Sequence, residues 1–97
     1  MPQIRSVENA TRDGTDGFVV EWEFIGFTEA DATFRAVGMT ALRFPTTIVS
    51  SEIVGVRKFG STDYNVLVFV PTEGFMSAGI TNPVEWMRDE FPDTYVR

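Results

Sequence analysis

The chain contains no cysteine and no histidine. Without these side chains it cannot form disulfide bonds, Ser-His-Asp or Cys-His catalytic triads, or the common structural zinc sites. No glycine-rich loop matches a nucleotide-binding motif, and no spacing of acidic residues matches a calcium loop. We therefore expect neither a metal nor a cofactor. The lack of cysteine is also typical of cytoplasmic proteins, so we expect this localisation.

Positive charge is scarce as well. Lys58 is the only lysine, and the eight basic residues face fourteen acidic ones, which gives a net charge of −6. Such a balance repels the phosphates of nucleic acids and anionic membrane surfaces. No apolar run approaches the roughly 18 residues that cross a membrane, and Met1 to Arg5 lacks the apolar core of a secretory signal. We expect no nucleic-acid partner and no membrane partner.

The residues that are present indicate a folded protein. Hydrophobic residues make up 43% of the chain and aromatic residues 13%, which is enough for one modest core. The sequence predicts a single domain over residues 1–97. Within it, turn-forming residues such as Asp13 and Gly14 predict an N-terminal arm over residues 1–16, with a short edge strand near residues 3–8 as an option.

Two stretches predict buried β-strands. In FVVEWEFI, residues 18–25, an apolar face of alternate residues begins at Phe18, and the opposite face includes Glu21 and Glu23. In YNVLVFVP, residues 64–71, both faces are apolar. The β-branched stretch 46–59 is long for one strand and predicts a bulge at Ser50–Ser51 or Gly55. A hairpin loop at residues 60–63 makes these last two strands antiparallel neighbours.

Two further stretches predict helices. Thr28 has the spacing of an N-cap, and Pro45 ends the first helix near residues 42–44. Asp31 and Arg35 are spaced to form an ion pair on its outside. Gly38 is expected to let this helix approach the sheet closely. The predicted buried stripe consists of Ala30, Phe34, Val37, Ala41 and Phe44. Asn82 and Pro83 begin a second helix that ends before Pro92, with Val84, Met87 and Phe91 on one side.

The order strand, helix, strand, strand, helix and short strand is that of the split β-α-β, ferredoxin-like fold. The predicted fold class is α+β, with an antiparallel sheet and both helices on one face. The strand at residues 64–71 then leaves an apolar second face that needs a cover. We predict a second copy of the chain, sheet against sheet, as the partner. The alternative is a cover from the loop Pro71 to Asn82 or from the N-terminal arm.

Four stretches resemble the dimeric α+β barrel superfamily over residues 18–97: FVVEWEF, EADATFRAVGMTAL, IVSSEIVGVRKFGSTDYNVLVFVP and EWMRDEF. Its members pair ferredoxin-like sheets face to face and include antibiotic-biosynthesis-type monooxygenases and muconolactone-isomerase-like enzymes. The resemblance implies a homodimer of this kind. The chain departs from the haem-degrading members, which bind iron through histidine, because it has none.

The candidate catalytic residues lie on or beside the second face. Glu21 and Glu23 would enter a partly dry cleft between paired sheets, where one carboxylate could act as an acid or base. At a wetted rim they would only add solubility. Glu52 and Arg57 could form a cross-sheet pair that orients an oxygenated substrate, or an ordinary ion pair. Tyr64 could donate a proton to a ligand or simply end a strand.

The candidate ligand-binding residues are Trp22, Met39, Phe69 and Trp86, although Trp22 as core and methionine as filler are the common structural roles. Trp86 lies off the apolar side of its helix, and we expect it to line the loop 71–82 or a dimer rim. These residues and the resemblance predict a homodimer that binds a small hydrophobic molecule, as a cofactor-independent oxygenase or isomerase would. The alternative hypothesis is a non-enzymatic acidic module for protein interaction or assembly.

Overall fold

The computed structural model describes residues 2–45 and 52–96. In these residues the chain forms five strands and three helices, which confirms an α+β fold. The elements are β1 Gln3–Arg12, β2 Thr15–Ile25, α1 Glu29–Arg43, β3 Glu52–Gly60, β4 Asp63–Pro71, α2 Thr72–Ser77, α3 Pro83–Glu90 and β5 Tyr95–Val96. The option of a bulge at Ser50–Ser51 falls outside the described residues.

All five strands join one mixed sheet in the order β3-β4-β2-β1-β5. The pairs β3–β4, β4–β2 and β2–β1 are antiparallel, whereas β1 and β5 are parallel. The order is compatible with a ferredoxin-like class, with one difference: β1 lies between β2 and the last strand. β1 has ten residues and is longer than the short edge strand considered for the N-terminal arm. Asp13 and Gly14, both with positive φ, form the turn into β2.

One face of the sheet, which we call the core face, carries the hydrophobic core. Trp22 of β2 lies opposite Val66 of β4, and Phe18 lies opposite Val70. These side chains form a buried cluster with residues from all three helices, among them Ala36, Phe75 and Met87. The alternation read from residues 18–25 and 64–71 is therefore confirmed.

The opposite face, which we call the second face, is less apolar than the strand β4 alone suggests. Phe69 is only 3% exposed. A Cβ atom at Gly17 would lie 2.6 Å from Cζ of Phe69, so this glycine makes room for the ring. Val19 and Leu67 are half-buried. Ile25, at the end of β2 on the same face, is 56% exposed.

Helix α1 begins and ends where the sequence predicts. The Thr28 hydroxyl accepts a hydrogen bond from the Asp31 backbone N–H at 3.2 Å, and Arg43 is the last helical residue. The predicted Asp31–Arg35 ion pair is absent from the described residues. The Arg35 guanidinium instead lies 5.5 Å from the ring centroid of Phe27.

The predicted buried stripe of α1 is wrong, although its last member, Phe44, is buried. The helix turns Ala32, Ala36 and Thr40 toward the sheet, and Phe34 is 82% exposed. Small residues face inward because β2 and β4 already supply large side chains there. A Cβ atom at Gly38 would have no neighbour within 4 Å, so this glycine does not serve close approach to the sheet.

The remaining connections agree with the predictions from the sequence, apart from two differences. The β3–β4 register shifts between Ile53 and Gly55, which places a bulge beside Gly55 as predicted. Helix α3 begins with the Asn82 side chain accepting from the Glu85 N–H. The hairpin loop is shorter than predicted, because Gly60 pairs with Asp63. The loop predicted over residues 71–82 contains helix α2, whose Phe75 is fully buried in the core.

Candidate functional site

A cleft opens where the C-terminal ends of α1 and α3 meet the start of β1. We call it the α1–α3 cleft. Its volume is about 330 Å³, which lies within the range of small-molecule sites. Its lining comprises Pro2, Gln3, Ile4, Trp22, Arg43, Glu90, Phe91, Pro92, Asp93 and Thr94.

Trp22 forms the floor of this cleft. Its side chain is almost fully buried, and its indole N–H donates a hydrogen bond to the Thr40 hydroxyl oxygen at 2.9 Å. The Thr40 hydroxyl in turn donates to the backbone carbonyl of Ala36 at 2.6 Å. The Thr40 hydroxyl thus accepts one hydrogen bond and donates another, and this fixed hydroxyl holds the indole ring in one orientation.

Arg43 lies above an aromatic ring at the rim. Its guanidinium carbon is 4.8 Å from the ring centroid of Phe91, a cation–π geometry. Within the part of the chain that the structure describes, Arg43 forms no ion pair, although Glu90 and Asp93 line the same cleft. The rim thus combines two carboxylates with a guanidinium that forms an ion pair with neither of them.

The wall formed by the segment after α3 is fixed to β1. The Thr94 hydroxyl donates to the Ile4 carbonyl at 3.2 Å, and the Thr94 N–H donates to the Phe91 carbonyl at 3.0 Å. The Phe91 ring also packs 5.1 Å from the ring of Phe44, between centroids. These contacts preform the cleft.

Glu21 and Glu23 lie on the second face, as predicted, and both are engaged. Glu21 accepts hydrogen bonds from the Asn65 amide at 2.9 Å and from the Ser6 hydroxyl at 3.3 Å. Glu23 accepts from the Gln3 amide and from the Arg5 guanidinium, each at 3.1 Å. The Asn65 side-chain oxygen is buried without a hydrogen-bond partner. This polar network holds the carboxylates in place outside the α1–α3 cleft.

The predicted pairing of Glu52 with Arg57 is wrong. Glu52 lies opposite Phe69 and Arg57 lies opposite Asn65 in the β3–β4 register, so they are separated along the sheet by about 13 Å. Glu52 forms an ion pair of 2.7 Å with Arg12 of β1 instead. This pair reaches from β1 to β3 across the face that carries Phe69.

The other candidate residues are dispersed. Tyr64 is buried on the core face. Phe69 lies on the second face, and Met39 packs half-buried against the core. The Trp86 ring lies 5.7 Å from that of Phe75 in α2, so it lines the segment 71–82 as expected. Among the four ligand-binding candidates, Trp22 alone lines the α1–α3 cleft.

Sequence reasoning missed Arg43 and Phe91, which lie at the ends of the two long helices. A signal was available, because right-handed crossovers bring the C-terminal ends of both helices to the same end of a sheet. Residues 2–45 and 52–96 contain no group of three or more acidic side chains arranged to hold a metal ion.

The fold and the cleft define an acidic α+β protein with a preformed small-molecule-sized site. Comparison with protein-family models, curated proteins and solved structures finds no match for this chain. The resemblance to the dimeric α+β barrel superfamily stays a prediction. Among the described residues, no helix is both long and apolar enough to cross a membrane.

Proposed function

We propose that the protein binds a small aromatic molecule that carries oxygen substituents, in the α1–α3 cleft. The observation that carries this proposal is the position of Arg43 over Phe91 beside the Trp22 floor. Ligand sites combine apolar side chains with a few placed polar groups; here Trp22 and Phe91 are almost fully buried, so the polar side chains of the rim provide most of the open surface. A guanidinium without an ion-pair partner is a strong donor to a carboxylate or carbonyl oxygen.

The rim also restricts the ligand. Glu90 and Asp93 repel a molecule with several negative charges, and they accept hydrogen bonds from hydroxyl or amino groups. A flat ring with one acidic group and one hydroxyl group meets both conditions. The open side of the cleft admits a ligand without movement of the helices.

We propose binding rather than turnover. The carboxylates considered as acid or base, Glu21 and Glu23, are held in a network on the second face, and Tyr64 is buried in the core. An oxygenase- or isomerase-like reaction in the cleft would have to use Glu90 or Asp93 as its base. Both residues lie at the rim and are exposed to solvent.

Ligand-observed NMR with benzoate, para-hydroxybenzoate and benzylamine tests the proposal. We expect saturation transfer to both carboxylates, whereas any binding of the amine would use Glu90 and Asp93 and should not depend on Arg43. Arg43→Gln should weaken carboxylate binding by about tenfold, because a charged hydrogen bond is lost. Arg57→Gln is the matched control, since Arg57 is exposed on β3. Equal binding by both variants would refute the proposal.

We also propose that the protein is a homodimer. The buried residues of all three helices join the cluster on the core face, which supports an arrangement with the helices on that face and the second face left for a partner. The sheet-against-sheet pairing would use Val19 and Leu67, both half-buried, and the exposed Ile25. These contacts are few, and charged residues such as Glu23 and Arg57 surround them.

A second candidate function is a non-enzymatic acidic interaction module. The observation that favours it is the exposure of large apolar side chains on α1, with Phe34 at 82% and Leu42 at 86%. Such patches mark protein contacts. If none of the three NMR probes binds while Phe34→Glu changes the association state, this function replaces the ligand-binding proposal.

A further inference from the structure

Helix α1 presents an apolar surface to solvent. We call it the α1 outer surface, and it consists of Ala30, Phe34, Val37, Gly38, Ala41 and Leu42 with the adjacent Ile53 of β3. A groove of about 460 Å³ runs along it, lined by Thr33, Phe34, Val37, Gly38 and Ile53. The side that faces the sheet carries smaller residues, Ala32, Ala36 and Thr40. The packing of this side on the sheet leaves Phe34 and Leu42 exposed on the outside.

The charges of α1 favour the α1 helix of a second copy of the chain as its partner. The chain has a net charge of −6, yet α1 is neutral, with Glu29 and Asp31 against Arg35 and Arg43. The acids lie in the first turn, and the stretch from Val37 to Arg43 contains no acidic residue. In an antiparallel pair of α1 helices, the acidic turn of one copy lies beside the acid-free half of the other. The positive end of each helix dipole then lies beside the negative end of the other, which is a favourable arrangement.

The shape of the surface is self-complementary. Phe34 projects from the helix, and one turn further on a Cβ atom at Gly38 would have no neighbour within 4 Å. A two-fold axis between these positions places Phe34 of each copy over Gly38 of the other. A symmetric contact needs a projection and a depression on the same patch, and α1 provides both.

We propose that two copies of this chain associate through the α1 outer surface, with the two α1 helices antiparallel. The inference rests on the homodimer proposed above and places its contact on the helices instead of the second face. Fifteen residues make a helix about 22 Å long. A contact of this length is smaller than a standard interface, so the dimer dissociates on dilution.

Sedimentation velocity from low to high micromolar concentration tests the inference. We expect the wild-type protein and Met76→Glu to dimerise at the high end, and Phe34→Glu to weaken association at least tenfold. Met76 is the matched control because it is an exposed apolar residue on α2, and its variant introduces the same charge. Phe34 makes no buried contact, so its variant should retain the wild-type melting temperature.

A third variant, Leu67→Glu, separates this inference from the homodimer itself. If Leu67→Glu abolishes association and Phe34→Glu does not, the homodimer stands and its contact is the second face, which overturns the inference. If the wild-type protein stays monomeric throughout, both proposals are wrong. If Phe34→Glu loses association and Leu67→Glu retains it, the homodimer and its contact through α1 are both supported.

Crosslinking provides a measurement that does not depend on a disruptive variant. Because the chain has no cysteine, Val37→Cys carries a single thiol beside the proposed axis and leaves the depression at Gly38 open. We expect a short bismaleimide to give covalent dimers of this variant. Ser77→Cys, exposed on α2, is the control and should remain monomeric. Equal yields from the two variants would contradict the inference.

Discussion

The Trp22 indole N–H donates a hydrogen bond to the Thr40 hydroxyl at 2.9 Å, and both side chains are buried. This contact joins β2 to the last third of α1. It explains why a threonine occupies the buried side of the helix, where the apolar pattern predicts none. The rotation of α1 about its own axis, and with it the exposure of Phe34, follows from this polar contact and from the small residues beside it.

Replacing Thr40 with valine removes the acceptor without changing the side-chain shape. We expect Thr40→Val to lower the free energy of unfolding by about 1–3 kcal/mol, because a buried indole N–H loses its partner. Urea denaturation followed by Trp fluorescence measures the change. Thr33→Val is the control, since the Thr33 hydroxyl bonds only to carbonyls of its own helix. Equal stability of the two variants would show that the contact is dispensable.

Substitution by alanine should change the free energy of unfolding in opposite directions at two glycines, Gly17 and Gly38. Gly17→Ala places a methyl group against Phe69 and the Val70 carbonyl, and we expect a loss of about 1–3 kcal/mol. Gly38→Ala adds a methyl group to open space within α1. There we expect a gain of about 0.5–1 kcal/mol from helix propensity. Thermal melts of both variants check the signs, and a stable Gly17→Ala would mean that β4 can shift.

Asn65→Asp brings a second carboxylate next to Glu21. The Asn65 amide donates to Glu21 at 2.9 Å, so the substitution turns a hydrogen bond into a repulsion. We expect lower stability at pH 7 than at about pH 4, because a shared proton relieves the repulsion and the folded state then binds more protons than the unfolded state. Denaturation of variant and wild type at both pH values measures this.

The control for that experiment is Ser77→Asp, which adds the same charge at an exposed position on α2. The side chain there is open to solvent, so the added charge is screened. We expect little change in stability at either pH. Destabilisation of both variants to the same extent would point to net charge instead of the local repulsion.

The N-terminal residues should be essential for folding. Val7 of β1 is fully buried, and β5 pairs with β1. We expect deletion of residues 1–14 to abolish cooperative unfolding, whereas a dispensable arm would tolerate it. Deletion of Met1 and Pro2 alone is the control. Calorimetry of the two truncated chains measures the difference.

Local signals in the sequence predicted much of the fold. The capping residues Thr28 and Asn82, the alternation from Phe18 and the bulge beside Gly55 act over a few residues, and all are confirmed. Asp13–Gly14 is a strong hairpin signal, and the turn that it forms joins β1 to β2 within the residues predicted as an arm. The burial of Phe69 follows from Gly17, a distant partner that alternation cannot identify.

The candidate site was less predictable than the fold. Trp22 could be named from its strand, but Arg43 and Phe91 meet only because two helix ends converge. The Arg12–Glu52 pair depends on the order of four strands, which no local pattern contains. The orientation of α1 depended on a hydroxyl partner, and apolar periodicity carries no information about such a partner.

The strand β5 has only two residues, and it pairs with β1 in parallel. Thr94 and Ile4, joined by a hydrogen bond beside it, are 90 residues apart in the sequence. A nascent chain therefore cannot close this edge of the sheet, or the wall of the cleft next to it, until residue 96 has left the ribosome. Because this wall joins residue 4 to residue 94, it is one of the last parts of the fold to form.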